Sequence, residues 1–230
     1  MKFSIMTLFP DMVRAVLNES IIGRAQKDGI IETEILNIRD FTEDRHNRVD
    51  DYPYGGGSGM VMQCQPIYDC YQHIVQNSSE KPLTLYMSPQ GKVLTQQKVR
   101  ELSKHEHIVI LCGHYEGVDE RVLEEIVDEE ISVGDYVLTG GELPACILVD
   151  SVSRMIDGVL SSAEAYEGES LYNGLLEQPQ YTRPEEWHGK RVPDVLLSGH
   201  HENIKKWQTQ MSLKRTVEKR PDLLEKHNKN

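Results

Sequence analysis

The sequence predicts an α/β domain with a mostly parallel sheet, followed by a small helical C-terminal domain. Five apolar runs of strand length alternate with segments of helical periodicity over residues 1–156. Strands separated by helix-length segments are typical of βαβ units, whose strands pair in parallel. Hydrophobic residues make up 38% of the 230 residues and charged residues 27%, which favours a folded globular chain over a disordered one.

The predicted elements follow one another along the chain. The predicted strands span residues 3–9, 34–38, 83–87, 107–112 and 131–133, and the predicted helices 11–26, 95–104, 119–129 and 145–156. The polar stretch that begins at Asp157 contains Gly, Ser and Glu and ends near residue 172, so we predict a mobile linker over 161–172. This linker separates a first domain, 1–160, from a helical domain, 173–230. In the second, Ile204, Trp207 and Met211 recur at helical spacing, which favours a core position for Trp207 over a base-stacking one.

Charge is distributed unevenly along the chain. The net charge is −12, yet residues 181–230 contain eleven Lys or Arg and seven Asp or Glu, which leaves −16 for residues 1–180. A basic C-terminal region suffices for phosphate contacts, although a solvated helical surface explains it equally well.

The spacing of cysteines and histidines argues against metal sites, and the length of the apolar runs argues against membrane spans. The four cysteines lack metal-ligand spacing, which favours a reduced, cytoplasmic chain, and Cys112 and Cys146 lie in apolar segments, where we expect them to be buried. Adjacent His200 and His201 point in different directions on a helix, so we predict no metal site there. No apolar run approaches the roughly 20 residues that cross a bilayer.

Glycine-rich segments follow the predicted strands. Residues 133–144 (VGDYVLTGGELP) hold three glycines and a proline, and residues 113–117 (GHYEG) directly follow an apolar strand. Ligands bind beyond the carboxyl ends of parallel strands, and glycine lets main chain approach them closely. These segments predict a small-molecule pocket that is built largely from main chain.

A further glycine-rich loop spans residues 50–60 (DDYPYGGGSGM). It lacks the Gly-Lys-Ser/Thr ending of a phosphate-binding P-loop, and no dinucleotide-binding glycine pattern opens a helix. A functional lid and a flexible connection remain the two interpretations.

Five motifs occur in a fixed order: YPYGGG at 52–57, SPQG at 88–91, CGHYEGVDER at 112–121, GDYVLTGGELP at 134–144 and YTRP at 181–184. Together they resemble the bacterial tRNA (guanine-N1)-methyltransferase family. VPDVLLSG at 192–199 and KRP at 219–221 extend the resemblance, which covers nearly the whole chain.

The resemblance implies a SPOUT-type fold with a deep trefoil knot, a feature that is nearly absent from other proteins. It also implies S-adenosyl-L-methionine as methyl donor, guanosine at position 37 of tRNA as substrate, and a homodimer with the active site at the subunit interface. Members of the family depend on Mg²⁺, although the sequence has no metal-ligand cluster.

The chemistry of the reaction predicts two catalytic groups. Guanine N1 carries a proton and is a poor nucleophile, so a base must remove that proton while negative charge develops on O6. A cation near O6 stabilises that charge. Arg154 matches the family's catalytic arginine, although the residues alone favour a helix-surface pair with Asp150.

Glu169 occupies the position of the family's general base, where the family has Asp. The side chain keeps the carboxylate but is one methylene longer, and a displacement of about 1 Å costs roughly a hundredfold in rate unless the backbone compensates. We expect Glu169 to act as the base, with Glu167 as a second candidate.

The resemblance implies further site residues. The expected donor-binding set comprises Pro89, Gly113, Tyr115, Glu116, Val133, Gly134, Asp135, Tyr136, Val137, Leu138, Gly140, Gly141 and Pro144. Ordinary core packing is the alternative for its aromatic and leucine side chains. Asp50 is the candidate for contacting a flipped guanine, and Arg183 for contacting the RNA backbone.

Two other functions compete with the tRNA methyltransferase that these residues favour. A non-catalytic RNA-binding protein of the same fold would keep the positively charged C-terminal region but would have no general base at residue 169. A nucleotide-phosphate enzyme would instead use the glycine-rich loop at 55–59.

Overall fold

The computed structural model describes residues 1–161 and 169–227 and divides the chain into two compact units, Met1–Ser161 and Ser162–Asn230. The strands of the first unit are β1 (Lys2–Thr7), β2 (Glu32–Asn37), β3 (Asp50–Asp51), β4 (Val61–Met62), β5 (Leu83–Val93), β6 (His107–Cys112) and β7 (Glu129–Ser132). Its helices are α1 (Pro10–Leu17), α2 (Ser20–Lys27), α3 (Cys64–Gln76), α4 (Gln96–Leu102), α5 (Glu120–Ile126) and α6 (Glu142–Ser153), with a 3₁₀ helix over Ile38–Phe41.

Five strands form one parallel sheet in the order β2-β1-β6-β5-β7, which confirms the α/β class and the parallel pairing. Side chains of β6 alternate between the two faces. Ile108, Ile110 and Cys112 join the core beneath α1, α2, α4 and α6, whereas Val109 and Leu111 join the core beneath α3 and α5. A strand that is buried on both faces reads as a continuous apolar run, which is why its bounds follow directly from the sequence.

The predicted helix over 11–26 is wrong as a single element, because the chain breaks between α1 and α2. Val13 and Leu17 are buried four residues apart, but the next buried side chain, Ile22, follows after five. A continuous helix would rotate Ile22 away from the core, and the break restores its burial.

Helix α3 was missed by the sequence analysis. Its buried side chains Ile67, Cys70, Tyr71 and Ile74 follow the helical spacing that would have indicated it.

Strand β5 continues past its predicted end through a bulge between Met87 and Lys92. A Cβ on Gly91 would lie 2.4 Å from the carbonyl carbon of Glu130, so glycine permits the return of the chain against β7.

The second unit contains a hairpin of β8 (Glu186–Trp187) and β9 (Lys190–Arg191), then α7 (Asp194–Leu197), α8 (His201–Lys219) and α9 (Pro221–His227). Its hairpin differs from the all-helical module that the sequence suggested. His188 and Gly189 join the strands with φ values of +50° and +72°, the combination of a tight hairpin turn.

Trp207 is only half-buried, so the prediction of a core position was wrong. Its ring centroid lies 6.4 Å from that of Tyr181. The segment before the hairpin is held to α8 by Thr216, whose hydroxyl accepts a hydrogen bond of 2.9 Å from the backbone N–H of Leu176.

Within 1–161 and 169–227, no helix has the combination of length and apolar character that crossing a membrane requires. The predicted linker over 161–172 and the candidate Glu167 fall mostly or wholly on residues 162–168, outside the described part of the chain.

Candidate functional site

A cleft with a volume of about 410 Å³ opens at the carboxyl ends of β5, β6 and β7. Its walls are the bulge of β5, the loop from Gly113 to Val118, and the segment from Val133 to Gly141. The volume lies within the range of small-molecule sites, and the position is the one that parallel sheets offer to ligands.

The structure brings most of the expected donor-binding residues together around this cleft. Those that line it are Pro89, Gly113, Tyr115, Glu116, Val133, Gly134, Tyr136, Val137, Leu138, Gly140, Gly141 and Pro144. Asp135 is the exception, because its side chain is exposed and the residue is not part of the cleft wall.

Glycine is required at several points of the wall. A Cβ on Gly113 would lie 2.7 Å from the Tyr86 hydroxyl, and one on Gly141 would lie 2.7 Å from the Cα of Cys112. Both distances are well inside van der Waals contact. Glycine therefore allows the wall segments to pack closely against Tyr86 and against the end of β6 at these points.

Backbone hydrogen bonds join the walls. The N–H of Gly141 donates to the carbonyl of Gly113 at 3.0 Å. The N–H of Glu116 donates to the carbonyl of Met60 at 3.0 Å, which connects the loop after β6 to the end of the glycine-rich loop. A Cβ on Gly59 would meet the Glu116 carboxylate at 2.4 Å, so the two loops are in close contact.

Four of the expected aromatic and apolar side chains at the cleft are exposed rather than part of the core. Tyr115 is 47% exposed, Tyr136 53%, Val137 82% and Leu138 40%. Tyr115 has a φ of +61°, and its hydroxyl accepts a hydrogen bond of 3.3 Å from Arg39. Exposed apolar side chains around a polar main-chain floor suit a ligand with a flat ring and polar substituents.

Tyr86 and His114 also line the cleft, and the sequence analysis missed both. Burial raises the pKa of Tyr86 to about 12, so its hydroxyl stays protonated at neutral pH and remains a donor. A polar-tipped residue near the end of an apolar strand was the available signal for Tyr86, and the position next to Gly113 was the signal for His114.

Cys112 and Cys146 are buried, as predicted. Burial, with a smaller contribution from the Glu142 carboxylate, raises the pKa of the Cys146 thiol to about 11 and raises that of Cys112 well above its usual value. Both thiols are therefore protonated and unreactive in the folded protein.

Asp50 lies in β3 at the base of the glycine-rich loop and not in the wall of the cleft. Within that loop Gly55, Gly56, Gly57 and Gly59 all have positive φ, and Tyr54 is 99% exposed. The conformation of this glycine-rich loop depends on glycine. Its exposed tip is compatible with both interpretations, a functional lid and a flexible connection.

Arg154 follows the last residue of α6 and is half-buried. A rise of about 1.5 Å per residue places it roughly 18 Å along the helix from Glu142, which adjoins the cleft. The structure therefore does not place Arg154 in the cleft of its own chain.

Glu169 and Arg183 belong to the second unit, where Glu169 is half-buried and Arg183 exposed. In the described ranges no group of three or more His, Cys, Asp or Glu side chains has the arrangement of a metal site, and His200 and His201 are both exposed.

Fold and cleft together define a class, namely an α/β protein with a cleft of small-molecule size at the carboxyl ends of a parallel sheet. A family model described as tRNA (Guanine-1)-methyltransferase TrmD matches residues 1–226. The chain belongs to this family of tRNA methyltransferases, and the family and enzyme class predicted from the motifs are confirmed.

Individual relatives match over nearly their full length. A tRNA (guanine-N(1)-)-methyltransferase from Ruminiclostridium cellulolyticum is 62% identical over 226 residues, which cover 98% of this chain and 97% of the relative. Proteins of the same name from Lachnospira eligens and Clostridioides difficile are 54% and 53% identical, with 99% of this chain covered in both and 96% and 99% of the relatives.

Proposed function

We propose that this enzyme transfers the methyl group of S-adenosyl-L-methionine to N1 of guanosine 37 in tRNA. The observation that carries the proposal is the main-chain cleft, which is built from residues of the motifs at 88–91, 112–121 and 134–144. When bound, S-adenosylmethionine supplies an electrophilic methyl group on a sulfonium centre.

The cleft residues fit this ligand. Tyr115, Tyr136 and Leu138 are exposed apolar surfaces for a flat adenine ring. Gly113, Gly140 and Gly141 belong to the cleft wall, where main chain is proposed to contact the ribose and methionine portions, and the Glu116 carboxylate suits the ammonium group of methionine.

Glu169 is the proposed general base that takes the N1 proton. The electron pair left on N1 then forms the bond to the methyl carbon as the carbon–sulfur bond breaks, so that S-adenosylhomocysteine is the leaving group. Arg154 is proposed to stabilise the negative charge on O6. Asp50 is proposed to contact the extruded guanine. Arg183, with the basic residues of the C-terminal region, is proposed to contact phosphates of the RNA.

A homodimer with a shared active site is the proposed assembly. The 18 Å between Glu142 and Arg154 along α6 keeps this arginine from the cleft of its own chain. Neighbouring helices α1 and α6 also expose apolar side chains, namely Phe9, Met12, Val16, Leu143 and Ile147. A partner that covers this surface would bring a second copy of Arg154 toward the cleft.

The trefoil knot remains part of the proposal. After edge strand β7, the chain runs to the carbonyl of Gly113 beyond β6 before α6 begins. Strand β5 lies between β7 and β6 in the sheet, so this route crosses β5, and such a crossing is what the proposed knot needs. The domain limits 1–160, 161–172 and 173–230, a cytoplasmic location and a Mg²⁺ requirement are proposed with it from the family resemblance.

The test of function is methylation of an unmodified tRNA transcript with radiolabelled donor. Primer extension then maps the product, because N1 methylation blocks the Watson–Crick edge. We expect extension to end one nucleotide before position 37, and no such stop in a transcript with adenosine there. Donor and RNA binding without label transfer would refute the proposed reaction.

The shared site is tested by mixing two inactive variants in one dimer. Gly113→Val blocks the cleft and Arg154→Ala removes the cation. If cleft and arginine come from different chains, the mixed dimer has one intact site, and about a quarter of the activity returns after random exchange. If both come from one chain, mixing restores nothing.

A further inference from the structure

Glu142 is a buried carboxylate that the proposed reaction does not use. It is the first residue of α6, and it is 1% exposed. A buried carboxylate is costly unless its oxygens accept hydrogen bonds. Its place beside the cleft makes those hydrogen bonds relevant to the shape of the site.

Both oxygens of this carboxylate have partners from separate parts of the chain. The Thr7 hydroxyl at the end of β1 donates to Oε1 at 2.5 Å, and Nε2 of His114 lies 2.7 Å from Oε2. The backbone N–H of Phe9 donates to the Thr7 oxygen at 2.9 Å, so the hydroxyl hydrogen is directed to Glu142. We assign the hydrogen of the second contact to Nε2 of His114, because an ionised carboxylate has no hydrogen to donate.

The arrangement is closely packed on the side of the cleft. A Cβ on Gly140 would lie 2.3 Å from Cε1 of His114 and 2.7 Å from Oε2 of Glu142. The His114 ring also packs against Phe9 with 4.8 Å between ring centroids. Because His114 and Gly140 both belong to the cleft wall, the pair determines the separation of two walls.

We propose that Glu142 and His114 are positioning residues for the methyl-donor cleft. The hydrogen bonds from Thr7 to Glu142 to His114 hold the loop after β6 against the start of α6, so the donor meets a cleft that is already formed. The identity of the ligand rests on the proposed function, whereas the positioning role rests on the contacts of these three side chains. Preformed sites bind more tightly because less ordering accompanies binding.

Substitutions that break the chain of hydrogen bonds test this role. Glu142→Gln puts an amide donor opposite either Thr7 or His114, both of which already donate. His114→Leu removes the donor to Oε2. We expect each variant to raise the calorimetric Kd for S-adenosylmethionine and S-adenosylhomocysteine about ten- to a hundredfold. At saturating donor, kcat is expected to change far less than Kd.

Conservative variants separate positioning from general stability. His114→Gln places an amide donor near the position of Nε2 and is expected to recover most of the affinity. Thr7→Val removes the hydroxyl but keeps a side chain of similar shape, so it should also weaken donor binding, which keeps the test informative if Glu142→Gln fails to fold. Glu34→Gln is the matched control, because it alters another hydrogen-bonded carboxylate of the same sheet, outside the cleft.

The outcomes are distinct. A lower melting temperature with unchanged donor Kd in Glu142→Gln and His114→Leu would overturn the positioning role. Equal losses of affinity in Glu34→Gln would do the same. If the wild-type protein binds neither ligand, the proposed function fails instead.

Discussion

Replacement of Gly141 by alanine probes the main-chain character of the cleft. The new Cβ would lie 2.7 Å from the Cα of Cys112, 3.0 Å from the backbone N of Gly113 and 3.1 Å from the Cβ of Cys112. Ordinary contact begins at 3.4 Å, so the start of α6 must retreat by about 0.7 Å. Cys112 ends a central strand of the sheet, which leaves little freedom to move on that side.

The expected magnitude follows from this overlap. Overpacking costs about 1–3 kcal/mol, and the lower entropy of the unfolded alanine chain returns about 0.4–1 kcal/mol. A net loss of about 1–2 kcal/mol lowers the melting temperature of a domain of this size by roughly 2–8 °C. The retreat also stretches the 3.0 Å hydrogen bond from Gly141 to Gly113. A wall displaced by nearly 1 Å should slow methyl transfer by up to about a hundredfold.

A thermal melt measures the loss of stability, a single-turnover methylation assay measures the loss of rate, and calorimetric titration with S-adenosylmethionine measures the accompanying loss of donor affinity. Gly23→Ala is the matched control, because its Cβ would lie 2.1 Å from the carbonyl oxygen of Asn18, in helices that do not line the cleft. We expect both variants to lose stability and Gly141→Ala alone to lose donor affinity. Wild-type affinity and melting temperature in Gly141→Ala would refute the reasoning.

Three further predictions concern other parts of the chain. Glu169→Gln should slow single-turnover methyl transfer by a hundredfold or more, whereas Glu169→Asp should stay active. Near-normal turnover of Glu169→Gln would show that Glu169 is not the general base. Burial raises the pKa of both Cys64 and Cys112, but Cys64 is partly exposed and Cys112 is buried, so an alkylating reagent should modify Cys64 first. Mass spectrometry of the folded protein would show the reverse order if this is wrong. Burial raises the pKa of Glu34, but hydrogen bonds from Lys2 and Ser4 lower it by more, so the pKa lies below its usual 4.5. The ionised carboxylate therefore stabilises the fold above pH 4.5, and this stabilisation is lost as the pH falls through the lowered pKa. Glu34→Gln should therefore melt below the wild type at pH 7 and approach it near pH 3, and a gap that persists at pH 3 would contradict the linkage.

Predictions from the sequence were correct where the signal lies within one segment of the chain, and wrong where it depends on packing between segments. The bounds of β6 were predicted because a strand buried on both faces is one apolar run. The prediction of a single helix over 11–26 was wrong because the apolar spacing is helical on both sides of the break. Only packing against the core requires the break. The prediction of a core position for Trp207 was wrong for a related reason. Its spacing in α8 indicates which residues share a face of the helix, but not whether another element covers that face.

The candidate site divides in the same way. Most of the expected donor-binding residues meet at one cleft because they follow parallel strands, whose carboxyl ends share one edge. Asp135 lies in the same motif but outside the wall, since the direction of a loop side chain depends on the turn it occupies. The roles of Glu169, Arg154, Asp50 and Arg183 remain predictions.

The sequence alone determined the α/β class, the family and the segments that build the cleft, because periodicity and glycine-rich motifs are local properties of the chain. Only the tertiary structure decided the strand order and the contact of His114 with Glu142, which are 28 residues apart. It also decided that Arg154 is remote from the cleft of its own chain. Such facts depend on which distant segments pack together, and packing is a property of the whole fold.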